Sequence, residues 1–114
     1  MSDCIFCKII KKEIPAKIIY EDDKVIAFED INPQAPVHLL VVPRKHIPTL
    51  LDLKLEDNQL IGHIFLTTNN LAKNKGISVS GFRTVFNCNK DAGQAVYHIH
   101  LHIFGGRRMA WPPG

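Results

Sequence analysis

The sequence predicts an α+β fold with an antiparallel β-sheet, and three observations support it. The chain has 114 residues, of which 46% are hydrophobic, so it can form one domain with a real core. Apolar segments of strand length stand before and after one long helical pattern. The links between neighbouring segments are of hairpin length, which favours antiparallel pairing. We expect a five-stranded sheet, one long helix and one short helix in a single domain over residues 1–114.

The first predicted element is a short amphipathic helix over residues 4–12. Asp3 is placed to cap its start, and Pro15 lies beyond its end. The helix repeats apolar side chains on one stripe, formed by Ile5, Phe6, Ile9 and Ile10.

Three strands are predicted next. Residues 17–21 and 25–29 are strands joined by a hairpin turn at Asp22-Asp23. Residues 30–36 form a loop, because their prolines interrupt regular structure. Residues 37–42 form the third strand and are largely apolar, as expected for a buried strand.

The long helix is predicted for residues 55–75, after a short helical turn at 48–55. Gly76 is suited to the C-terminal cap. The positions at helical spacing are Leu60, Ile61, Ile64, Phe65, Leu71 and Ala72.

The C-terminal part returns to strands. Residues 82–88 and 96–104 are predicted strands, and the polar segment 89–93 is the turn between them. Residues 105–114 form a tail, since the closing Trp-Pro-Pro-Gly can be neither helix nor central strand.

Composition excludes several function classes. The net charge of +3 is scattered without a basic block, so we expect no nucleic-acid partner. No apolar run approaches the roughly 20 residues that span a membrane. Residues 1–3 lack the pattern of a signal peptide, and we expect a cytoplasmic protein.

The most informative segment is the last predicted strand, where three histidines alternate with apolar residues. On a strand His98, His100 and His102 share one face, with neighbours roughly 6–7 Å apart. The residues between them face the core. Such a row fits metal ligands or a nucleophile with general acid–base partners, and the strand alone leaves both open.

The turn before this strand can bind an anion. Asn87 and Gln94 offer side-chain amides, and Gly93 allows a close backbone approach. Backbone N–H groups of residues 93–96 can form an anion-binding nest, which suits a phosphate ester beside a nucleophilic histidine. The alternative is an ordinary polar hairpin turn.

Two of the three cysteines stand as Cys4-x-x-Cys7. In a chain without a secretion signal, this spacing favours metal or redox chemistry over a structural disulfide. The redox interpretation is weaker, because no thioredoxin-like βαβ pattern follows. Cys88 stands alone and is expected to be a small packed side chain.

Six ordered motifs resemble the histidine-triad superfamily, most closely its branch of nucleotide-binding proteins that act as purine nucleoside phosphoramidases. The main motif alternates histidine with apolar residues three times. The matching segments are 98–103, 4–10 together with 13–15, 30–38, 43–47, 93–97 and 111–114.

The resemblance implies a role for each histidine. His100 would attack the α-phosphorus of a nucleoside 5′-phosphoramidate and form a nucleotidyl-histidine, which water then hydrolyses to AMP or GMP. His102 would hold phosphoryl oxygens, while His98 and His38 would orient the nucleophile and set its protonation. The group that protonates the leaving amine stays open.

The resemblance also implies a nucleotide site. Asp30 would bind the ribose diol. The base pocket would be lined by Ile5, Phe6, Ile9, Phe28 and Ile31, whose alternative role is core packing. The phosphate would be held by Asn87, Gly93, Gln94, Ala95, Val96 and His102. Ala95 stands where many relatives have serine, which removes one side-chain donor.

No cofactor is expected for the chemistry, but some relatives have a structural zinc. Here its ligands would be Cys4, Cys7, His46 and His98. The alternative is two reduced, packed cysteines. The resemblance further implies a homodimer joined through the long helix and a central strand, with residues 105–114 near the active site.

Three alternative functions remain open. The first is a dinucleoside polyphosphate hydrolase of the same superfamily. The second is a nucleotide-binding module with weak catalysis, which Ala95 favours. The third is a zinc hydrolase that uses the three alternating histidines as ligands.

Overall fold

A computed structural model describes residues 3–114, and its centre is one five-stranded sheet. All pairs of neighbouring strands are antiparallel, in the order β1-β2-β3-β5-β4. The strands are β1 (Ile18–Glu21), β2 (Val25–Glu29), β3 (Val37–Pro43), β4 (Phe82–Val85) and β5 (Leu101–Gly105). The predicted α+β class and five antiparallel strands are therefore confirmed.

The helices are α1 (Ile5–Ile10), α2 (Asn58–Asn74) and a short α3 (Asn89–Ala92). The predicted turn at 48–55 contains a 3₁₀ turn at Leu50–Asp52. A second 3₁₀ turn at Leu55–Asp57 takes the place of the start of the predicted long helix, so α2 begins three residues later than predicted. The polar segment 89–93 was expected to be a simple turn, whereas it forms α3. Gly93 ends α3 in the left-handed region, at a φ of 80°.

Asp3 was predicted to cap the first helix, and this is wrong. Cys4 is the N-cap residue: its backbone is extended and its Sγ accepts the N–H of Cys7 at 3.4 Å. The helix also ends two residues early, because Lys12 adopts a positive φ of 64°.

The two faces of the sheet have different covers. One face, which we call the helix face, packs against α2 through Ile64, Leu71 and Ala72. The other, the site face, packs against the much shorter α1 through Phe6 and Ile9. Neighbouring residues of β2 and β3 contribute to opposite faces, as strand geometry requires. The predicted α2 stripe also included Phe65, which is 40% exposed at the edge of the helix.

The histidine-bearing strand is shorter than predicted. Residues 96–100 lie outside the ladder, and β5 begins at Leu101. The backbone N–H of Ile99 donates to Ile47 O at 2.8 Å instead of to β3. The strand predicted over 82–88 likewise ends at Val85. Among residues 3–114, no helix is both long and apolar enough to cross a bilayer.

Candidate active site

A cavity of about 360 Å³ opens on the site face, where the short α1 leaves the sheet uncovered. It borders most of the residues that the sequence assigned to a nucleotide: Ile5, Phe6, Ile9, Phe28, Asp30, Ile31, Asn87, Gly93, Ala95, Val96, His100 and His102. Phe6, Ile9 and Phe28 are buried and also belong to the core of this face, so they both pack and line the cavity. Ile31 is 96% exposed at the cavity mouth.

Sequence reasoning missed part of the wall. Leu40 and residues 14–16 also line the cavity. Leu40 lies two positions after His38 in β3, so strand alternation could have placed it on the same face. Residues 14–16 have no periodicity, and their position follows only from how α1 ends.

Gln94 does not border the cavity, contrary to the expectation that its amide binds an anion. Its Oε1 accepts the N–H of Asn89 at 2.8 Å, and its Nε2 donates to Pro48 O at 2.8 Å and Val96 O at 3.0 Å. The side chain therefore braces the loop.

The backbone nest is smaller than predicted. The N–H groups of Gly93 and Gln94 donate to Lys90 O and Asn89 O within the end of α3. The N–H groups of Ala95 and Val96 remain as the donors of this segment that an anion could use.

His100 is oriented by the backbone. Its Nδ1–H donates to the carbonyl of His98 at 2.8 Å, so in the neutral ring the lone pair is on Nε2. Phe6 packs edge to face on the ring, with centroids 4.9 Å apart. Burial lowers the pKa of His100 below its ordinary value. The ring is therefore neutral near pH 7 and can act as a nucleophile.

His102 and His38 form a hydrogen-bonded pair whose direction is fixed at one end. The backbone N–H of Gln34 donates to His38 Nδ1 at 3.0 Å, so the proton of a neutral His38 is on Nε2. That Nε2–H donates to His102 Nδ1 at 2.9 Å. The proton of His102 is then on Nε2, which makes His102 a hydrogen-bond donor toward an anion in the cavity.

Both rings of this pair favour the neutral form. Burial, together with the neighbouring His100 and His38, lowers the pKa of His102 to about 4. Burial also lowers the pKa of His38, against the opposing effect of the Asp30 carboxylate. His38 lies behind His102 and does not border the cavity.

Asp30 borders the cavity beside His102 and also approaches His38. Its Oδ1 accepts the N–H of Asn32 at 2.8 Å, and its Oδ2 is 3.4 Å from His38 Nε2. The carboxylate borders the cavity, so it can accept further hydrogen bonds from a polyol such as a ribose.

His98 is fully buried and faces away from the cavity. Its Nε2–H donates to Pro43 O at 2.7 Å, which leaves the Nδ1 lone pair pointing at Cys4 Sγ, 3.3 Å away. Burial lowers the pKa of His98 to about 4. The rings of His98, His100 and His102 therefore point to three different partners, and this argues against a single metal held by all three.

Cys4, Cys7, His46 and His98 do converge. Cys7 Sγ lies 3.4 Å from His46 Nδ1 and 3.6 Å from His98 Nδ1, and the two Nδ1 atoms are 3.1 Å apart. All four ligand atoms lie within 4.8 Å of one another. A tetrahedral zinc with bonds of about 2.0–2.3 Å spaces its ligands roughly 3.3–3.8 Å apart, so the donor set fits this ion.

The surroundings of these four residues also suit a metal. The bond from His98 Nε2–H to Pro43 O fixes the tautomer that a metal at Nδ1 requires. Without a metal, burial raises the pKa of Cys7, so the thiol would stay protonated.

Comparisons with known proteins match nearly the whole chain. Residues 3–110 match a family model described as "Scavenger mRNA decapping enzyme C-term binding". An uncharacterized HIT-like protein of Synechococcus elongatus is 52% identical over 112 residues, which are 98% of this chain and 97% of that protein.

Solved structures are equally similar. A HIT family hydrolase from Legionella pneumophila superposes with a TM-score of 0.97 at 52% identity, covering 98% of this chain and 100% of that one. A histidine triad protein from Clostridium difficile gives 0.93 at 47% identity, covering 96% of each chain. Because the similarity covers nearly the whole chain in sequence and structure, and because the chain has the alternating His98, His100 and His102, it belongs to the histidine-triad (HIT) family.

Proposed function

We propose that this protein is a purine nucleoside 5′-phosphoramidate hydrolase that cleaves the P–N bond through a covalent nucleotidyl-His100 intermediate. The observation that carries the proposal is the bond from His100 Nδ1–H to His98 O, which leaves a neutral Nε2 as the nucleophile at the cavity. Structures named HIT family hydrolases, from Legionella pneumophila and Clostridium thermocellum, support a hydrolase.

The first step exchanges one P–N bond for another. His100 Nε2 attacks the α-phosphorus, the bond to the leaving amine breaks, and the amine departs with a proton supplied by the solvent. His102 Nε2–H and the N–H groups of Ala95 and Val96 stabilise the negative charge on the phosphoryl oxygens. In the second step water attacks phosphorus and loses a proton to the solvent, the bond to His100 Nε2 breaks, and AMP or GMP leaves.

The residues that line the cavity favour a purine nucleotide as its ligand. Phe6, Ile9, Phe28 and Leu40 form an apolar slot that suits a flat base, and Ile31 can cover its mouth. Asp30, which borders the cavity, would accept the ribose hydroxyls. A histidine triad nucleotide-binding protein from Candida albicans, 30% identical with a TM-score of 0.81, also supports nucleotide binding.

Two other functions remain. The matched family model carries the name of a decapping enzyme, which favours cleavage of dinucleoside polyphosphates as the second candidate. Ala95 removes a hydroxyl that many relatives have, which favours a nucleotide-binding module with weak catalysis.

We further propose that Cys4, Cys7, His46 and His98 hold a structural zinc, and that the chemistry needs no cofactor. When bound, zinc would cross-link the start of α1 to the segments that carry His46 and His98. Because His98 also supplies the carbonyl that orients His100, this site would stabilise the nucleophile's position without contacting substrate.

We also propose that the protein is a homodimer. The outer strand β4 leaves one edge of the sheet that no strand within residues 3–114 pairs with. On α2, Phe65 and Leu66 are 40% and 66% exposed. The exposed Trp111 of the tail lies over Arg83 of β4, 5.9 Å from its guanidinium carbon, which places the tail at this edge. Sedimentation of Leu66→Glu beside the parent protein tests it, with a monomeric variant as the expected result.

The experiment that tests the activity is intact-mass spectrometry of the protein mixed rapidly with adenosine 5′-phosphoramidate and quenched. An adduct of AMP mass on the parent protein, absent from His100→Ala, is the expected result. Hydrolysis without an adduct contradicts the covalent route. Turnover of a diadenosine polyphosphate but not of an adenylated lysine favours the second candidate, and nucleotide binding without hydrolysis favours the module.

A further inference from the structure

A line of hydrogen bonds joins the C-terminal tail to His102. Arg107 donates from Nε and Nη2 to the carbonyl of Gln34, at 3.2 and 3.0 Å. The N–H of the same Gln34 donates to His38 Nδ1 at 3.0 Å, and His38 Nε2–H donates to His102 Nδ1 at 2.9 Å. Arg107 is exposed and does not border the cavity, yet it is connected to a ring that does.

The glycines before Arg107 bring the tail against the loop that contains Gln34. A Cβ on Gly106 would lie 2.9 Å from Pro36 Cβ, and the φ of Gly106 is +89°, which favours glycine. A Cβ on Gly105 would lie 2.6 Å from Ile77 Cδ1. The close approach on both sides fixes where the tail leaves β5 and aims Arg107 at Gln34.

The donor-to-acceptor direction of these hydrogen bonds decides whether a protonated or a bare His102 Nε2 faces the cavity. A backbone N–H can only donate, so an aligned Gln34 forces the protons of His38 and His102 onto Nε2. If the Gln34 N–H turned away, His38 could hold its proton on Nδ1. His102 would then donate from Nδ1 and turn a bare Nε2 lone pair toward the phosphoryl oxygens, which repel it.

Asp30 is the other group that favours the working tautomer, with Oδ2 at 3.4 Å from His38 Nε2. In the proposed complex that carboxylate also accepts the ribose hydroxyls, which weakens its hold on His38. The Gln34 N–H is then the group that keeps the protons of His38 and His102 on Nε2 during the reaction.

We propose that Arg107 is a positioning residue for the His38–His102 pair: by holding the Gln34 carbonyl, it keeps the Gln34 N–H on His38 and the Nε2–H of His102 available to the phosphoryl group. This inference rests on the proposed function for its effect on rate. Its structural part, the tautomer of two histidines, stands apart from any activity.

The test compares Arg107→Met with Arg108→Met, which removes the neighbouring exposed cation and leaves the bonds to Gln34. Arg107→Lys keeps the charge but has one donor nitrogen, whereas Arg107 donates to Gln34 O from two. The imidazole nitrogens of ¹⁵N-histidine-labelled protein distinguish protonated from bare positions, and kcat and KM are measured with adenosine 5′-phosphoramidate.

The parent protein and Arg108→Met should show His38 and His102 protonated on Nε2 alone. Arg107→Met should show averaged signals for both rings and a kcat lower by about fivefold to tenfold, the effect of one hydrogen bond, with KM nearly unchanged. Arg107→Lys should give a kcat and tautomer signals between those of the parent protein and those of Arg107→Met.

Parent-like tautomers and kcat in Arg107→Met would overturn the proposal, and so would an equal loss in Arg108→Met. A tautomer change in Arg107→Met, in a protein that hydrolyses no phosphoramidate, would uphold the positioning role and overturn the proposed function.

Discussion

The two faces of the sheet show how one apolar pattern serves stability on one side and chemistry on the other. On the helix face, Ile64 and Ala72 of the 17-residue α2 are wholly buried against the strands. On the site face, the six-residue α1 covers only part of the sheet, and the cavity opens beside it. Strand alternation is the same on both faces, so the length of the covering helix makes the difference.

The difference also extends to polar groups. The site face contains His38, His98, His100 and His102, each held by a backbone group or another ring. In the described residues, no buried side-chain polar atom is left without a partner. The open face can therefore keep buried imidazoles at low cost, because each has a hydrogen bond.

Truncation of one side chain on each face should give the largest effect and separate the two roles. Ile64→Ala, at a position with no exposure, should cost about 2–5 kcal/mol of unfolding free energy, because it leaves a closed void. Ile9→Ala should cost less, about 1–2 kcal/mol, because it enlarges a cavity that already exists. Denaturant unfolding measures both.

The same two variants, Ile9→Ala and Ile64→Ala, should also differ in their affinity for AMP. Ile9→Ala should weaken AMP binding by about tenfold, as expected when an apolar side chain that packs on the ligand is truncated. Ile64→Ala should bind AMP as the parent protein does wherever it remains folded. Equal losses of stability with unchanged AMP affinity in both variants would contradict a functional difference between the faces.

Metal removal should affect the site face alone. The proposed zinc holds Cys4 and Cys7 at the start of α1, the helix that carries Phe6 and Ile9 into the cavity. Chelation should speed amide hydrogen exchange in residues 5–10, leave α2 unchanged, and weaken AMP binding several-fold by linkage. Cys7→Ser is the matched variant. If chelation did not change amide hydrogen exchange in α1, packing alone would hold this helix in place.

Much of this comparison could be predicted from the sequence, because it depends on local periodicity. Alternation placed His102 on the face opposite Leu101 and Ile103, and helical spacing found α2. The strand over 96–104 was extended too far, because nothing local shows that the Ile99 N–H donates to Ile47 O. The same limit applies to Gln94, whose partner Pro48 lies 46 positions away.

The contact between Cys7 and His46 shows the other limit. The two residues are 39 positions apart, and spacing within a motif carries no information on such a contact. From the sequence, only the resemblance to a known family indicated that Cys7 and His46 share a site. Arg107 and Gln34 lie 73 positions apart, and neither a local pattern nor the family resemblance indicated their contact.

Acid should destabilise the fold through the buried histidines of the site face. Burial lowers the pKa of His102 from 6.5 to about 4, so between these values the unfolded chain binds a proton that the folded chain does not. This contribution to stability is complete above pH 6.5 and is lost as the pH falls toward 4. His102→Asn should reduce the number of protons taken up on unfolding by about one. Unfolding free energies from about pH 7 to about pH 4 measure it, and an unchanged slope would contradict it.

Ala95 offers the smallest and most specific test of the open face. It is exposed at the cavity, next to the N–H groups proposed to hold the phosphoryl oxygens. Ala95→Ser adds a hydroxyl that can donate to the phosphate or the leaving amine, so turnover should rise by about twofold to fivefold, less than one full hydrogen bond. Stability should not change, because the side chain faces solvent. Ala92→Ser, on exposed α3, is the matched control. Unchanged turnover in Ala95→Ser would show that the backbone donors and His102 already satisfy the phosphoryl oxygens on this face.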